Sequence, residues 1–503
     1  MLAGMWNGFA GLIGILLVVL RASDAFGQAG SLGQWGARFD WPNVAIHTHL
    51  LPNGKVMFWS RREWDANNPT EGLDPRDSTP RIWDPQTNTF TSLPRPGFNL
   101  FCAGHAFLGD GRLLVAGGHI RDGDGEPHAT IYDPDQNTWT RIDDMNRGRW
   151  YPTLVTLADG QSVVVSSGSE NGQMNDVQQI GKNGHWSSIV NFGGLPYYPR
   201  MHLAPDGRVF MSGPLNLTQF LDTSGAGQWT PVGRRNPQDN DNGLQEYGCS
   251  VMYDVGKVLY VGGGVPPTNG AVTINLQAPN PTWAPTGSMR FRRRQHNATL
   301  LPDGTVLVNG GTQGQGGPQN GFNDLTPGQP IRAAELWDPV TGQWTVLAEE
   351  QVDRCYHSTA ILLPDATVLS AGGGEFRPDG NIPNDLRDSH RDGQIFSPPY
   401  LFRGARPTIT SAPTDVTYGQ VFNVGTAQPA EIQRATFVRL SSVTHSFNSG
   451  QRINFLQFTS DGTQLQVTAP AGPNTCPPGY YLLFILNQQG VPSIAKTIRI
   501  HNP

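Results

Sequence analysis

Residues 298–311 read ATLLPDGTVLVNGG. Alternating apolar residues run into an Asp-Gly turn, a second apolar run follows, and a glycine pair ends the segment. Asp-Gly or Asn-Gly between two alternating runs is a strong signal for a β-hairpin. The pattern occurs seven times, and its turn positions are Gly54, Gly111, Gly160, Gly207, Gly256, Gly304 and Ala366.

The spacing of these turns predicts the fold. The intervals are 57, 49, 47, 49, 48 and 62 residues, and a period of ~50 is typical of kelch-type propeller blades. A second hairpin fills most intervals, for example IWDPQTNTF (82–90) and LWDPVTGQW (336–344). After the seventh copy only half of it appears, and GQWGARFDW (33–41) supplies the missing strand. We therefore expect a seven-bladed propeller whose N-terminal strand closes the ring.

Composition supports an all-β protein. The 61 glycines and 41 prolines make up about a fifth of the 503 residues, and only 15% of residues are charged. Many short strands fit this balance, whereas long helices and disorder do not. With a net charge of −6 and no long basic run, nucleic acid is not expected as a partner.

Both ends of the chain differ from the repeat region. The period stops after Arg406-Pro407, and the last ~95 residues alternate as an immunoglobulin-like, early-set β-sandwich does. Residues 1–27 contain an apolar core that suits a signal peptide or an uncleaved membrane anchor. We predict a propeller over 28–404, a sandwich over 405–503, and a secreted, cell-surface or periplasmic location. Four cysteines are too few for a disulfide scaffold.

The repeat register brings candidate site residues together. Nine residues before each turn stands the residue that enters the inner strand, namely Ala45, Cys102, Tyr151, Tyr198, Tyr247, Gln295 and His357. Equivalent positions ring the axis of a propeller at one end. A thiol, the phenols of Tyr151 and Tyr356 and the imidazole of His357 therefore share one axial mouth. Phenol oxygen and imidazole nitrogen are donors that suit Cu(II).

Four motifs carry a family resemblance: Phe101-Cys102, Arg149-Trp150-Tyr151, Arg354-Cys355-Tyr356-His357-Ser358 and Thr444-His445-Ser446-Phe447-Asn448. With the seven repeats and the C-terminal sandwich, the chain resembles the copper-radical oxidases, the glyoxal oxidase and galactose oxidase group. The resemblance covers nearly all of the chain that follows residue 27.

The resemblance implies a site and a reaction. It implies one copper ion held by Tyr151, Tyr356, His357 and His445, with His445 on a sandwich loop that enters the propeller channel. It also implies a Cys102–Tyr151 thioether, whose tyrosine radical takes one electron while copper takes the other. Tyr356 would accept the substrate hydroxyl proton as general base. The substrate would be a small aldehyde or a primary alcohol, and dioxygen would leave as hydrogen peroxide.

Two departures from galactose oxidase favour the glyoxal oxidase side. No Trp occurs in Ser167–Glu170, where that enzyme's stacking indole is expected, and we do not expect that enzyme's N-terminal carbohydrate-binding domain. We therefore expect glyoxal, methylglyoxal or glycolaldehyde as substrate type. The expected partners are that small molecule and dioxygen, with an extracellular glycan as a further candidate, and a monomer is expected.

Other interpretations compete with this one. A single buried cysteine such as Cys102 is usually inert packing, and His445 could be a surface-loop histidine. The chain could instead be a non-catalytic kelch binding protein, a galactose-type alcohol oxidase or a sialidase-like propeller. A Cys249–Cys355 disulfide stays open, and Arg292-Arg293-Arg294 could bind an acidic substrate or coat a blade rim.

Overall fold

The computed structural model describes residues 28–64, 73–165, 168–169, 172–173, 176–181, 184–191, 194–236, 246–316, 323–374 and 389–503. The signal peptide or anchor predicted for residues 1–27 lies outside this part of the chain. Nearly all regular structure in these ranges is β, apart from a helical turn at 28–32 and two 3-10 turns, Pro399–Phe402 and Pro429–Glu431. None of the described helices is long and apolar enough to span a membrane. The predicted all-β class is confirmed.

The repeat region contains 33 described strands. In chain order they are β1 (Gln34–Trp35), β2 (Phe39–Asp40), β3 (His47–Leu50), β4 (Val56–Trp59), β5 (Arg62–Trp64), β6 (Leu73–Asp77), β7 (Arg81–Asp84), β8 (Thr89–Ser92), β9 (Gly104–Phe107), β10 (Leu113–Ala116), β11 (Ala129–Asp133), β12 (Thr138–Arg141), β13 (Thr153–Thr156), β14 (Ser162–Val165), β15 (Gly168–Ser169), β16 (Gly172–Gln173), β17 (Asp176–Ile180), β18 (Trp186–Asn191), β19 (Arg200–Leu203), β20 (Val209–Gly213), β21 (Leu217–Asp222), β22 (Gln228–Arg234), β23 (Cys249–Asp254), β24 (Lys257–Val261), β25 (Ala271–Asn275), β26 (Ala284–Pro285), β27 (Arg294–Leu300), β28 (Val306–Thr312), β29 (Ala333–Trp337), β30 (Trp344–Glu349), β31 (Ser358–Leu362), β32 (Val368–Gly372) and β33 (Asp392–Ser397).

The sequence repeats correspond to antiparallel sheets. Within the described residues, six sheets combine the inner hairpin of one repeat copy with the hairpin that follows it, and a seventh combines β31 and β32 with β33 and the N-terminal strands. Their innermost strands, β3, β9, β13, β19, β23, β27 and β31, are buried along their whole length, apart from a partly exposed end of β23. Consecutive inner strands contact one another from β9 to β31, and β31 contacts β3. The inner strands therefore surround a common axis, as in a propeller.

The N-terminal segment completes the last sheet, as predicted. Strand β1 pairs antiparallel with β33 through Gln34↔Ser397 and Trp35↔Phe396, and β2 pairs with the same strand through Phe39↔Gly393. The last sheet thus joins strands from both ends of the repeat region, which covers an edge that would otherwise be unpaired.

The C-terminal region forms two further sheets. Its strands are β34 (Ile409–Ser411), β35 (Asp415–Thr417), β36 (Val421–Thr426), β37 (Ile432–Arg439), β38 (Ser442–Thr444), β39 (Phe447–Asn448), β40 (Ile453–Leu456), β41 (Phe458–Ser460), β42 (Gln464–Thr468), β43 (Gly479–Asn487) and β44 (Lys496–His501). One sheet has the order β34-β36-β42-β41 and the other β35-β44-β43-β37-β40. They enclose their own apolar core, which includes Phe437, Leu465 and Tyr481.

Strands β38 and β39 leave this sandwich and enter the propeller. Strand β38 pairs with β3 through His47↔Thr444 and His49↔Ser442, and so extends the first propeller sheet on its axial edge. It also contacts β9 and β31. The β38–β39 hairpin, which we call the finger, therefore lies among the inner strands and carries His445 at its turn.

The structure answers two questions that the sequence left open, the Cys249–Cys355 disulfide and the role of the arginine cluster. All four cysteines are buried and none of them is in a disulfide, and the Cys249 thiol donates to the His296 carbonyl at 3.1 Å. No Cys249–Cys355 disulfide is therefore present. Arg293 is fully buried and pairs with Glu335 at 2.5 Å, so this member of the basic cluster braces the fold and does not face a substrate.

Candidate active site

The residues that enter the inner strands share an unusual backbone conformation. Cys102, Tyr151, Tyr198, Tyr247, Gln295 and His357 all have φ between +42° and +67°. Side chains other than glycine rarely adopt this region, and such residues cluster at functional sites. The peptide N–H of Tyr151 donates to the Cys102 carbonyl at 3.0 Å, and that of Tyr198 donates to the Tyr151 carbonyl at 2.8 Å. Six of the seven positions found by counting back from the turns therefore have the same left-handed conformation.

Buried arginines hold this ring of residues in place. Arg149, Arg200, Arg293 and Arg354 are among the largest fully buried side chains. Arg354 pairs with Glu350 at 2.7 Å and Asp392 at 2.6 Å, and also donates to the Gly372 carbonyl. Arg149, Arg293 and Arg354 each bond to a backbone carbonyl and a carboxylate, and Arg200 bonds to three backbone carbonyls, so these groups fix the loops that precede the inner strands.

Four candidate metal ligands converge at the mouth. The hydroxyls of Tyr151 and Tyr356 form a short hydrogen bond. The ring of His445 lies 4.7 Å from that of Tyr151, 5.2 Å from Tyr356 and 4.7 Å from His357, between ring centroids. The rings of Tyr356 and His357 stack at 3.9 Å. The finger therefore brings a sandwich histidine among residues of two propeller sheets.

Hydrogen bonds select one tautomer for each of these histidines. His357 Nδ1 donates to the Gly374 carbonyl at 2.6 Å. The Thr444 hydroxyl donates to the Ile46 carbonyl at 2.9 Å, so its oxygen accepts from His445 Nδ1 at 2.6 Å. Each ring then carries its lone pair on Nε2, and the buried Nε2 of His445 has no partner in the described residues. A metal-binding histidine has this arrangement.

Burial also sets the charge of the site. It lowers the pKa of His357 to about 3, and it lowers that of His445 well below its ordinary value, with His357 adding to the effect. Both imidazoles are therefore neutral at pH 7. Burial raises the pKa of Tyr151 and Tyr356 well above the ordinary value. The phenols then need a nearby cation to ionise, and a divalent metal would provide it.

The donor set fits copper. Two neutral imidazole nitrogens and two phenol oxygens form the mixed N,O set that Cu(II) prefers in a tetragonal site. Among the described residues, no three or more His, Cys, Asp or Glu side chains are arranged to hold a metal ion. A metal at this mouth would therefore depend on the phenol oxygens as well as the histidines.

Cys102 lies beside Tyr151, as the register predicts. Both belong to one buried cluster, and the Cys102 thiol is fully buried within hydrogen-bonding reach of the Tyr151 side chain. Burial raises the pKa of this thiol well above the ordinary value, and the nearby Arg61 guanidinium partly opposes that shift.

Two aromatic rings stack on the ring of Tyr151. Trp150 lies 4.1 Å from it with an interplanar angle of 23°, and Tyr198 lies 4.6 Å from it with an angle of 24°. No Trp occurs in Ser167–Glu170, of which the structure describes only Gly168 and Ser169. A stacking indole is nevertheless present, because Trp150 provides it from a different segment of the chain. His119 Nδ1 accepts a hydrogen bond from the Trp150 indole at 3.3 Å, which helps to hold the ring.

Three further buried histidines, none of them predicted from the sequence as a metal ligand, lie near the mouth. His47, His49 and His105 lie in contact along the channel, with the rings of His49 and His105 4.4 Å apart. His47 Nε2 accepts from the peptide N–H of Cys102 at 3.2 Å, and its ring lies 5.7 Å from that of His445. The His47-Thr48-His49 segment at the start of the first repeat copy could have indicated this group. Alternate residues of an inner strand face the same side, so both histidines would be expected to lie together.

Comparison with known proteins gives a consistent picture. Residues 406–500 match the model of the galactose oxidase-like early set domain, and residues 264–400 match that of the glyoxal oxidase N-terminus. A galactose oxidase from Gibberella zeae is 29% identical over 96% of this chain and 72% of its own length. The aldehyde oxidase GLOX from Vitis pseudoreticulata is also 29% identical, over 92% of both chains.

A solved structure extends the comparison to three dimensions. A fungal alcohol oxidase of the AA5 family, in complex with copper, superposes with a TM-score of 0.79 at 26% identity, over 93% of this chain and all of that one. Over most of its length the chain is similar to galactose and glyoxal oxidases. The predicted family resemblance, the all-β propeller with an early-set domain and the assignment as a copper-dependent oxidoreductase are confirmed by these relatives.

Proposed function

We propose that this copper oxidase binds its metal through Tyr151, Tyr356, His357 and His445 and oxidises small hydrated aldehydes. The observation that carries the proposal is the convergence of two phenol hydroxyls with two imidazoles whose Nε2 atoms are free of protons. In this proposal residues 28–404 form the propeller, and residues 405–503 form a domain that supplies His445. We also propose that the chain is exported, that it acts as a monomer on a small molecule and dioxygen, and that an extracellular glycan is a further candidate partner.

Each residue has a separate role in the reaction. Copper, when bound, supplies a one-electron acceptor and a Lewis-acidic position for a substrate oxygen. Tyr356 Oη accepts the proton of the substrate hydroxyl. This oxygen lies at the centre of the site, in short contact with the Tyr151 hydroxyl. Tyr151, linked to Cys102 through a thioether, takes the second electron. Trp150 and Tyr198 stack on the Tyr151 ring and shield it from water.

The thioether gives a direct test. Its formation removes one hydrogen from the Cys102 thiol and one from the Tyr151 ring, and dioxygen accepts both as hydrogen peroxide. We expect aerobic copper loading to lower the intact mass by two hydrogens, and Cys102→Ala or Tyr151→Phe to abolish the loss. A wild-type protein that keeps a titratable Cys102 thiol after loading would contradict the radical mechanism.

The substrate class is tested with the same copper-loaded protein. We expect peroxide production from glyoxal, methylglyoxal or glycolaldehyde to exceed that from galactose, measured as kcat/KM. Galactose-type alcohol oxidation is the second candidate, because a galactose oxidase is among the relatives and Trp150 stacks on Tyr151. A clear preference for galactose at matched copper loading would favour that candidate and leave the metal site unchanged.

A further inference from the structure

A small cavity adjoins the candidate copper residues. Its lining residues are Tyr151, Tyr197, Tyr198, Arg200, Pro214, Glu246, Tyr247 and His445. The cavity has a volume of about 20 Å³, and about 10–15 Å³ is enough for one water-sized group. The cavity therefore admits one hydroxyl of a substrate, and Tyr151, His445 and Glu246 all line the space which that hydroxyl enters.

The two charged residues of the cavity differ in how they are bonded. Arg200 donates to three carbonyls, those of Gly248 at 3.0 Å, Tyr198 at 2.6 Å and His445 at 3.2 Å. The Arg200 guanidinium therefore holds the residues at the mouth of the propeller and the finger in place. Glu246 is partly exposed, and within the described ranges no hydrogen bond or ion pair is made by its carboxylate.

Another cation near Glu246 lies outside the cavity lining. The Arg294 guanidinium interacts electrostatically with Glu246, but it lies over the Tyr247 ring, 5.6 Å from the ring centroid. Tyr247 thus lies beside both the guanidinium and the cavity. The charged acceptor that a bound molecule meets in this cavity is the Glu246 carboxylate.

We propose that Glu246 selects uncharged hydrated aldehydes by accepting a hydrogen bond from the second hydroxyl of the gem-diol. This inference rests on the proposed function. An ionised carboxylate accepts hydrogen bonds and donates none. A hydrated aldehyde has two hydroxyls on one carbon, so one can occupy the reacting position near Tyr151 and Tyr356 while the other reaches Glu246. A simple primary alcohol has only the reacting hydroxyl, and an unhydrated aldehyde has none.

The same carboxylate favours release of the product. Oxidation of RCH(OH)₂ by O₂ gives RCOOH and H₂O₂, with the carbon losing two electrons and dioxygen gaining them. At neutral pH the acid product ionises, and two carboxylates close together in a partly buried cavity repel each other. Glu246 therefore binds the neutral diol and disfavours its anionic product. Substrates that already carry a carboxylate are disfavoured for the same reason.

The test compares Glu246→Gln with Glu431→Gln, an exposed sandwich residue with the same change of charge. We expect Glu246→Gln to lower kcat/KM for methylglyoxal by about tenfold, since a charge-assisted hydrogen bond becomes a neutral one. The value for 1-propanol should change by less than about twofold, and that for glyoxylate should rise, as expected from loss of like-charge repulsion. Glu431→Gln should leave all three unchanged.

A binding measurement separates the two proposals. Titration of the copper(II) form with acetate, followed by its visible absorption, should show tighter binding in Glu246→Gln than in the wild type. Equal ratios among the three substrates and equal acetate affinity would overturn the role of Glu246 while leaving the oxidase intact. A wild-type protein that oxidises none of these substrates would instead contradict the proposed function.

Discussion

Thr444→Val tests whether the finger presents His445 in the tautomer that binds metal. The Thr444 hydroxyl links the Ile46 carbonyl to His445 Nδ1, at 2.9 and 2.6 Å, and the residue is only 3% exposed. Valine keeps the shape and removes the hydroxyl. His445 Nδ1 then loses the acceptor that keeps its proton on that atom, and the ring is no longer held with Nε2 towards the other ligands.

The structure and the behaviour of metal sites give the size of the effect. Loss of the partner that orients a metal-binding histidine typically weakens metal affinity about 10–100-fold, which corresponds to about 1.4–2.8 kcal/mol. The metal-free protein should lose about 1–3 kcal/mol of unfolding free energy, because a buried carbonyl and a ring N–H lose their partner. Competition with a copper chelator measures the affinity, and urea unfolding measures the stability.

Thr436→Val is the matched control. Thr436 is fully buried and its hydroxyl donates to the Pro302 carbonyl at 3.1 Å, but it has no histidine partner in the described part of the chain. The control should be destabilised in urea and should bind copper as the wild type does. The reasoning is refuted if Thr444→Val keeps wild-type copper affinity, or if Thr436→Val weakens it equally.

Two further predictions concern stability. Burial lowers the pKa of His202 to about 3, below the ~6.5 of an unfolded chain, so stability is full above pH ~6.5 and falls as the pH drops towards 3. His202→Asn should reduce the slope of unfolding free energy against pH, between pH ~5.5 and ~4, by about 1.4 kcal/mol per pH unit, as urea unfolding of the metal-free protein would show. Arg293→Met should cost about 3–5 kcal/mol, because it leaves Glu335 charged and buried. Arg293→Met with Glu335→Leu should recover most of that loss, and a double variant as unstable as the single one would contradict this account.

The sequence predicted the mouth of the propeller well because hairpin length is nearly constant. Counting nine residues back from each turn located six left-handed positions, from Cys102 to His357. Even Ala366, which replaces glycine at the seventh turn, has φ +65°. Turn chemistry fixes the strand register, and the register then fixes the height of each residue on the axis.

Side-chain contacts around Tyr151 were harder to predict. In an extended strand neighbouring side chains point to opposite faces, so Trp150 would be expected to point away from Tyr151. The left-handed φ of +57° at Tyr151 turns the chain, and the two rings stack at 4.1 Å. Tyr356 and His357 stack at 3.9 Å for the same reason, with φ +67° at His357. The periodicity of the sequence does not predict these stacked pairs, because each pair depends on the φ angle of a single residue.

The finger makes the geometry of the site depend on how the sandwich docks. Thr444 pairs with His47 across β38 and β3, and Arg200 donates to the His445 carbonyl at 3.2 Å. His445 itself has φ +46°, a strained value that the surrounding contacts must maintain. Sheet pairing and a buried guanidinium therefore hold the backbone at His445, and the Thr444 hydroxyl holds its imidazole. A substitution in the sandwich that loosens docking should then weaken copper binding before it unfolds the propeller.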